Sequence, residues 1–316
     1  MIAMIPDIDI AELVALRTQG TPPPDDLLEQ MLSAVPPYDP PVPVHSRSLA
    51  VPGPEGAPDV PVRVFTPSGH DGPLPGLLYI HGGGFVSGSV DQFDGEATRL
   101  AAEVGAVVVS VDYRLAPEHP FPAGVEDCYA ALVWTAESAS ELGIDPDRLA
   151  VAGGSAGGGL AAAVTLLARD RGGPRLCFQY LDVPELDDRL DTPSMRDYHD
   201  TAMFHRRAAE FSWDAYLGEG RRGGPDVSPY AAPARAEDLS GLPPAFITTC
   251  QFDPLRDEGI AYAQRLAHAN VPTELVLYPG TFHGSALARD AAITKRMIAD
   301  MIGALRRALV PAAARP

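Results

Sequence analysis

Apolar positions along this chain follow two rhythms. From residue 76 onward, short and nearly continuous apolar runs alternate with longer stretches whose apolar positions recur at helical spacing. Residues 76–80, 106–111, 148–152, 176–181, 244–250 and 274–278 read as strands, several of them β-branched and apolar on both faces. Residues 92–104, 123–141, 156–170, 257–269 and 286–309 read as the helices between them. Such alternation predicts an α/β fold, a mostly parallel central sheet with helices on both faces. Ahead of it, residues 48–51 and 60–65 alternate as two strands around a turn at 52–58.

Two regions break the rhythm. Residues 1–43 carry helical patterns at 7–17 and 24–34, and Pro22-Pro23-Pro24-Asp25-Asp26 suits a helix start. Residues 184–235 hold many charges, aromatics and turns without a strand pattern, and are expected to form a largely helical insertion. The expected division is therefore 1–43 as the N-terminal part of a helical cap, 44–183 as the first part of the core, 184–235 as the cap insertion and 236–316 as the second part of the core. A cap belongs over the C-terminal edge of the sheet, where ligands bind in such folds.

Charge narrows the partners. The balance of 24 basic against 42 acidic residues is −18, which repels nucleic acid and anionic membrane surfaces. Lys295 is the single lysine and follows no glycine loop, so a phosphate-binding loop is excluded. Cys128, Cys177 and Cys250 lie far apart in apolar runs and read as reduced core residues. The start, Met-Ile-Ala-Met-Ile-Pro-Asp, has neither a basic segment nor a sustained apolar stretch. No signal peptide or membrane span is expected, and the cytoplasm is the default location.

Candidate chemistry begins at Gly153-Gly154-Ser155-Ala156-Gly157, which matches Gly-x-Ser-x-Gly. A strand runs directly in and a helix directly out, the context a nucleophile elbow requires. The competing reading is a chemically silent glycine-rich turn or a dinucleotide turn, but the spacing does not give Gly-x-Gly-x-x-Gly after the first strand. Earlier, His81-Gly82-Gly83-Gly84-Phe85 follows an apolar strand. Its bare backbone N–H groups at Gly83 and Gly84, with that of Ala156, are candidate donors to an oxyanion, while His81 and Gly82 support the loop.

A serine hydroxyl needs a base, and the base needs an orienting acid. After Ser155 the histidines are His199, His205, His268 and His283. His268 sits in a helical pattern, and His199 and His205 lie in the insertion. His283 lies in a loop just past a strand, where a catalytic group belongs. Asp253 likewise follows a strand, while Asp257 and Glu258 read as caps of the next helix. A plain turn aspartate before Pro254 is the alternative for Asp253. The order Ser155, Asp253, His283 is the one this fold uses. Phe85, Phe252, Tyr198, Met203, Phe204, Trp213 and Tyr216, near the motifs and in the insertion, are candidates to line a pocket or to fill the core of the cap.

The coincidence of His81-Gly82-Gly83-Gly84-Phe85, Gly153-Gly154-Ser155-Ala156-Gly157-Gly158, Asp253-Pro254-Leu255-Arg256-Asp257-Glu258 and Phe282-His283-Gly284 resembles the hormone-sensitive-lipase-like family of α/β-hydrolases. The run from Asp112-Tyr113-Arg114-Leu115-Ala116-Pro117 to Phe121-Pro122 is also similar to that family's loop after its central strand. The resemblance spans about residues 45–309. It implies an α/β-hydrolase fold with a helical cap, and a carboxylesterase acting on short-to-medium acyl esters through a Ser-His-Asp triad and an acyl-enzyme. It also implies a small-molecule ester as partner, no cofactor and no metal, and often a homodimer through the last strand and helix. One departure stands out: Gly154 occupies a position where the family usually has an acidic residue or threonine. An amidase or lactonase with the same triad is an alternative activity, and a receptor that has abandoned catalysis is a second. A histidine base predicts activity falling as pH drops through roughly 6–7.

Overall fold

The computed structural model describes residues 37–201 and 203–310 of the 316; the helical patterns expected at 7–17 and 24–34 lie outside them. Eight strands form one sheet: β1 (Val44–Val51), β2 (Val60–Pro67), β3 (Leu74–Ile80), β4 (Val107–Val111), β5 (Ile144–Gly154), β6 (Phe178–Asp182), β7 (Ala245–Cys250) and β8 (Thr273–Tyr278). Their spatial order is β1-β2-β4-β3-β5-β6-β7-β8. The β1–β2 and β2–β4 pairs are antiparallel and the rest are parallel.

The central strands read as nearly continuous apolar runs because each face meets its own helical layer. Successive side chains point to opposite faces. Leu78, Ile80, Val107, Val109 and Val151 join one core, while Leu77, Tyr79, Val108, Ala150 and Ala152 join the other. The first layer holds α2 (Ala123–Glu137), the short α3 (Ala139–Leu142), α4 (Ala156–Asp170) and α7 (Arg256–His268). The second holds α1 (Asp94–Arg99), which runs on as a π-helical turn over Leu100–Gly105, and α8 (Ala292–Leu309). Residues 156–168 of α4 are all buried, which explains why its small apolar residues show no polar face. Truncating a central side chain such as Leu78 to alanine would cost about 2–5 kcal/mol.

Several expectations are corrected. The segment between β6 and β7 is less helical than its pattern suggested. It contains α5 (Pro193–Asp197), α6 (Arg206–Leu217) and a single 3-10 turn, Pro233–Arg235. Its charges instead pin turns: the buried Asp188 carboxylate takes the Arg235 guanidinium and the Gly223 N–H. The last helix begins at Ala292 and not at 286. Residues Ser285–Leu287 form a separate 3-10 turn, tied by the Thr294 hydroxyl donating to the Ser285 carbonyl. The alanine-rich stretch between them gave no sequence sign of this break. Cys128 and Cys250 are buried as expected, but Cys177 is partly exposed at the start of β6. Among the described residues no helix is long and apolar enough to cross a membrane.

Candidate active site

The C-terminal ends of β3, β5, β7 and β8 converge on one point. At the end of β5 the chain reverses into α4, and Ser155 takes φ 57°, ψ −124° between them. That conformation is costly for a side-chain-bearing residue and persists only where the surroundings enforce it. Gly157 shows the enforcement: a Cβ there would lie 2.2 Å from the Ile80 carbonyl oxygen and 2.4 Å from that of His81. Phe85, Val183 and Met203, all near this point, also have positive φ.

The loop after β8 brings His283 across to Ser155. The Ser155 hydroxyl and His283 Nε2 are 3.0 Å apart, and His283 Nδ1 is 2.9 Å from Asp253 Oδ2. A carboxylate only accepts, so Nδ1–H donates to Asp253 and leaves Nε2 to accept from Ser155. Asp253 is wholly buried just beyond β7, and its other oxygen accepts the Leu255 N–H at 2.9 Å. Burial lowers the imidazole pKa, but the charge and hydrogen bond of Asp253 outweigh burial and hold His283 above its ordinary value, with Asp182 adding to the rise. The other candidate histidines lie away from the serine in other roles: His199 is exposed in a bend after α5. His205 caps α6 by accepting the Ala208 N–H, and His268 is exposed at the end of α7.

The glycine loop lies beside the serine. A Cβ on Gly82 would come within 3.4 Å of the Ser155 Cβ. Gly83, at φ 127°, packs so closely that a Cβ would lie 2.0 Å from the Ser87 carbonyl oxygen, and its own carbonyl accepts from the Ser87 hydroxyl and the Ser87 and Val86 N–H groups. No hydrogen bond among the described residues uses the N–H of Gly83 or Gly84. Ala156, as the first residue of α4, has no acceptor within the helix. His81 is buried between Tyr113 and Phe93, at ring distances of 4.4 and 5.6 Å, and its Nδ1–H donates to the Gly82 carbonyl. Burial lowers its pKa, so the ring stays neutral.

The expected pocket residues separate into two groups. Phe204 packs its ring 4.8 Å from the His283 imidazole, and Met203 abuts Gly284. Phe252 and Tyr198 meet edge to face at 6.1 Å. Phe85, Trp213 and Tyr216 instead stack on one another, with at most 2% exposure, as packing behind the glycine loop. Their aromatic bulk, not proximity to a ligand, explains their place. Asp257 and Glu258 do not cap α7 either. Asp257 accepts the Ser194 N–H at 2.7 Å, and buried Glu258 accepts the Leu186 and Asp187 N–H groups, so both fasten the inserted segment to the core.

Two acidic groups at the site had no individual sequence signal. Asp182, at the end of β6, lies partly buried beside Gly154, its register partner on β5, and accepts from the Thr248 hydroxyl. Glu185, three residues on, is wholly buried, and its carboxylate meets the hydroxyl of Ser212 from α6. Their only hint was an acidic run starting at a strand end.

Sheet order, elbow and hydrogen-bonded chain together define the class: a serine hydrolase of the α/β-hydrolase fold. A family profile described as alpha/beta hydrolase fold matches residues 77–287. The chain belongs to the hormone-sensitive-lipase-like family of α/β-hydrolases. It is 46% identical over 238 residues to carboxylesterase NlhH of Mycobacterium tuberculosis, covering 73% of each chain. It is 38% identical over 250 residues to an arylesterase of Saccharolobus solfataricus, covering 78% of each. Among solved structures it is similar to a bacterial heroin esterase, with TM-score 0.86 and 49% identity over 97% of this chain and 95% of that one.

Proposed function

We propose that this protein is a carboxylesterase that cleaves short-to-medium acyl esters of small alcohols through a covalent acyl-enzyme. The observation that carries the reading is the unbroken chain from Ser155 through His283 to Asp253, at 3.0 and 2.9 Å. Ser155 Oγ attacks the ester carbonyl carbon as its proton passes to His283 Nε2. The tetrahedral oxyanion accepts from the N–H groups of Gly83, Gly84 and Ala156. The bond to the alcohol oxygen breaks as Nε2–H protonates it. Water then repeats the sequence at the acyl carbon, His283 again taking and returning a proton, and the carboxylic acid leaves. No step calls on a metal or organic cofactor.

Residues 184–235 act as the cap. Phe204 and Met203 support this, since they lie against the imidazole loop and narrow the approach to it. The outer strand β8 exposes Leu275 and Leu277, and this edge is where a second copy would pair. Three free cysteines suit a reducing cytoplasm. A chain-length series of p-nitrophenyl esters, with the matching anilides, tests the substrate class. Turnover should peak at short-to-medium acyl groups and be at least about 100-fold slower on anilides. Equal rates on esters and anilides would favour an amidase instead.

A further inference from the structure

The glycine loop and the nucleophile elbow come from different strands, yet an oxyanion hole works only if their N–H groups keep a fixed separation. One residue links both. The Glu185 main-chain N–H donates to the Ser155 carbonyl at 3.1 Å, and its own carbonyl packs so tightly against α4 that a Cβ on Gly159 would sit 2.1 Å from it. The Glu185 Oε1 lies 2.9 Å from Ser212 Oγ, which itself lies 2.9 Å from the Gly84 carbonyl oxygen. Glu185 therefore bridges the elbow, directly, and the glycine loop, through a serine on α6.

Resting on the esterase reading above, we propose that Glu185 and Ser212 are positioning residues that hold the two halves of the oxyanion hole in register: the Glu185 carboxyl donates to Ser212 Oγ, and the Ser212 hydroxyl donates to the Gly84 carbonyl. The direction follows from counting protons. Ser212 has one hydroxyl proton and two oxygen neighbours at bonding distance. If Glu185 were ionised, both neighbours would only accept, and one of the two contacts would set lone pair against lone pair. A protonated Glu185 satisfies both. Its second oxygen, Oε2, is buried without a partner among the described residues, a place tolerable for a neutral carboxyl and costly for half of a carboxylate.

The electrostatic surroundings agree. Burial pushes the Glu185 carboxyl up to about 8, with Asp253 adding to the rise and the Ser212 hydrogen bond and His283 opposing it. The other ionisable groups that face it are Glu258 from α7, itself pushed up by burial, and the Tyr113 and Tyr216 phenols, which burial keeps neutral. Above about pH 8 the carboxyl ionises and Ser212 turns its proton to it. The Gly84 carbonyl then loses its donor and the loop is released from its aim at the substrate.

The test is the pH profile of kcat and KM for wild type, S212A, E185A and E185Q on one p-nitrophenyl ester between pH 6 and 9.5, with circular dichroism to confirm folding. Wild-type kcat should decline as pH passes about 8. S212A and E185A should lower kcat by about 10-fold or more at pH 7 with KM within about 2-fold, because the loss falls on the transition state. E185Q keeps a donor to Ser212 and cannot ionise. It should restore kcat to within about 3-fold of wild type and remove the alkaline decline. Wild-type kcat in S212A, an alkaline decline that survives in E185Q, or no rescue by a folded E185Q would overturn the proposal. Failure of the esterase reading looks different: wild type itself would hydrolyse no ester.

Discussion

The residue before the nucleophile carries no side chain, and its neighbour across the sheet supplies the reason. A Cβ on Gly154 would meet the Asp182 carboxylate at 3.6 Å, so the volume and the negative charge that an acidic side chain would bring are already present. Asp182 is partly buried, and burial raises its pKa despite the hydrogen bond from Thr248. Gly154→Asp would press a second carboxylate against the first. It should lower stability by about 1–3 kcal/mol at neutral pH, whereas Gly154→Ala should stay within about 0.5 kcal/mol of wild type. Urea unfolding curves for the two variants check this, and a Gly154→Asp protein as stable as wild type would contradict it. Ser155, Asp253 and His283 were legible because each stands at a strand end in the order the fold demands. Glu185 and Asp182 were not. In a run as acidic as 182–191 an individual carboxylate gives no sign of being buried, and only the packing of β6 against α4 and α6 shows which ones are.

Among elements, the turn from β5 into α4 is the most constrained. It is pressed by the ends of β3 on one side and by the main chain of Glu185 on the other. Gly157→Ala would push backbone against backbone at Ile80 and His81, where no side chain can yield. A melting temperature lowered by several degrees and a loss of about 100-fold or more in kcat/KM are expected, since a displacement of about 1 Å at a reacting atom costs on that order. A thermal scan and steady-state kinetics measure both; a Gly157→Ala enzyme with wild-type values would show the turn to be looser than its contacts indicate. The strands were easy to read for the same reason the turn is tight: both faces of the sheet are covered, so Val107–Val111 is buried at every position and apolar at all but Ser110. The inserted segment was hard to read. Its turns are held by pairs such as Asp188 with Arg235, remote in sequence, and no local periodicity encodes a contact of that kind.

Across the whole molecule, the parallel part of the sheet brings the C-terminal ends of β3, β5, β7 and β8 to one edge, with β6 between β5 and β7. Gly83 and Gly84 follow β3, Ser155 follows β5, Asp253 follows β7 and His283 follows β8, the placement that the proposed mechanism uses. The alternation of strands and helices predicted that sheet, and the motif order predicted which ends matter. The fastening of the 184–235 segment through Asp257 and Glu258 emerged only from the structure, because both acids sit in the first turn of α7 and mimic ordinary caps. The central claim, that Ser155 is the group acylated in turnover, is tested most directly by brief treatment with a fluorophosphonate followed by peptide mass mapping. One adduct per chain, on Ser155, with loss of ester hydrolysis in proportion to labelling, is the predicted result. Full hydrolysis by a protein whose Ser155 is completely modified would contradict it.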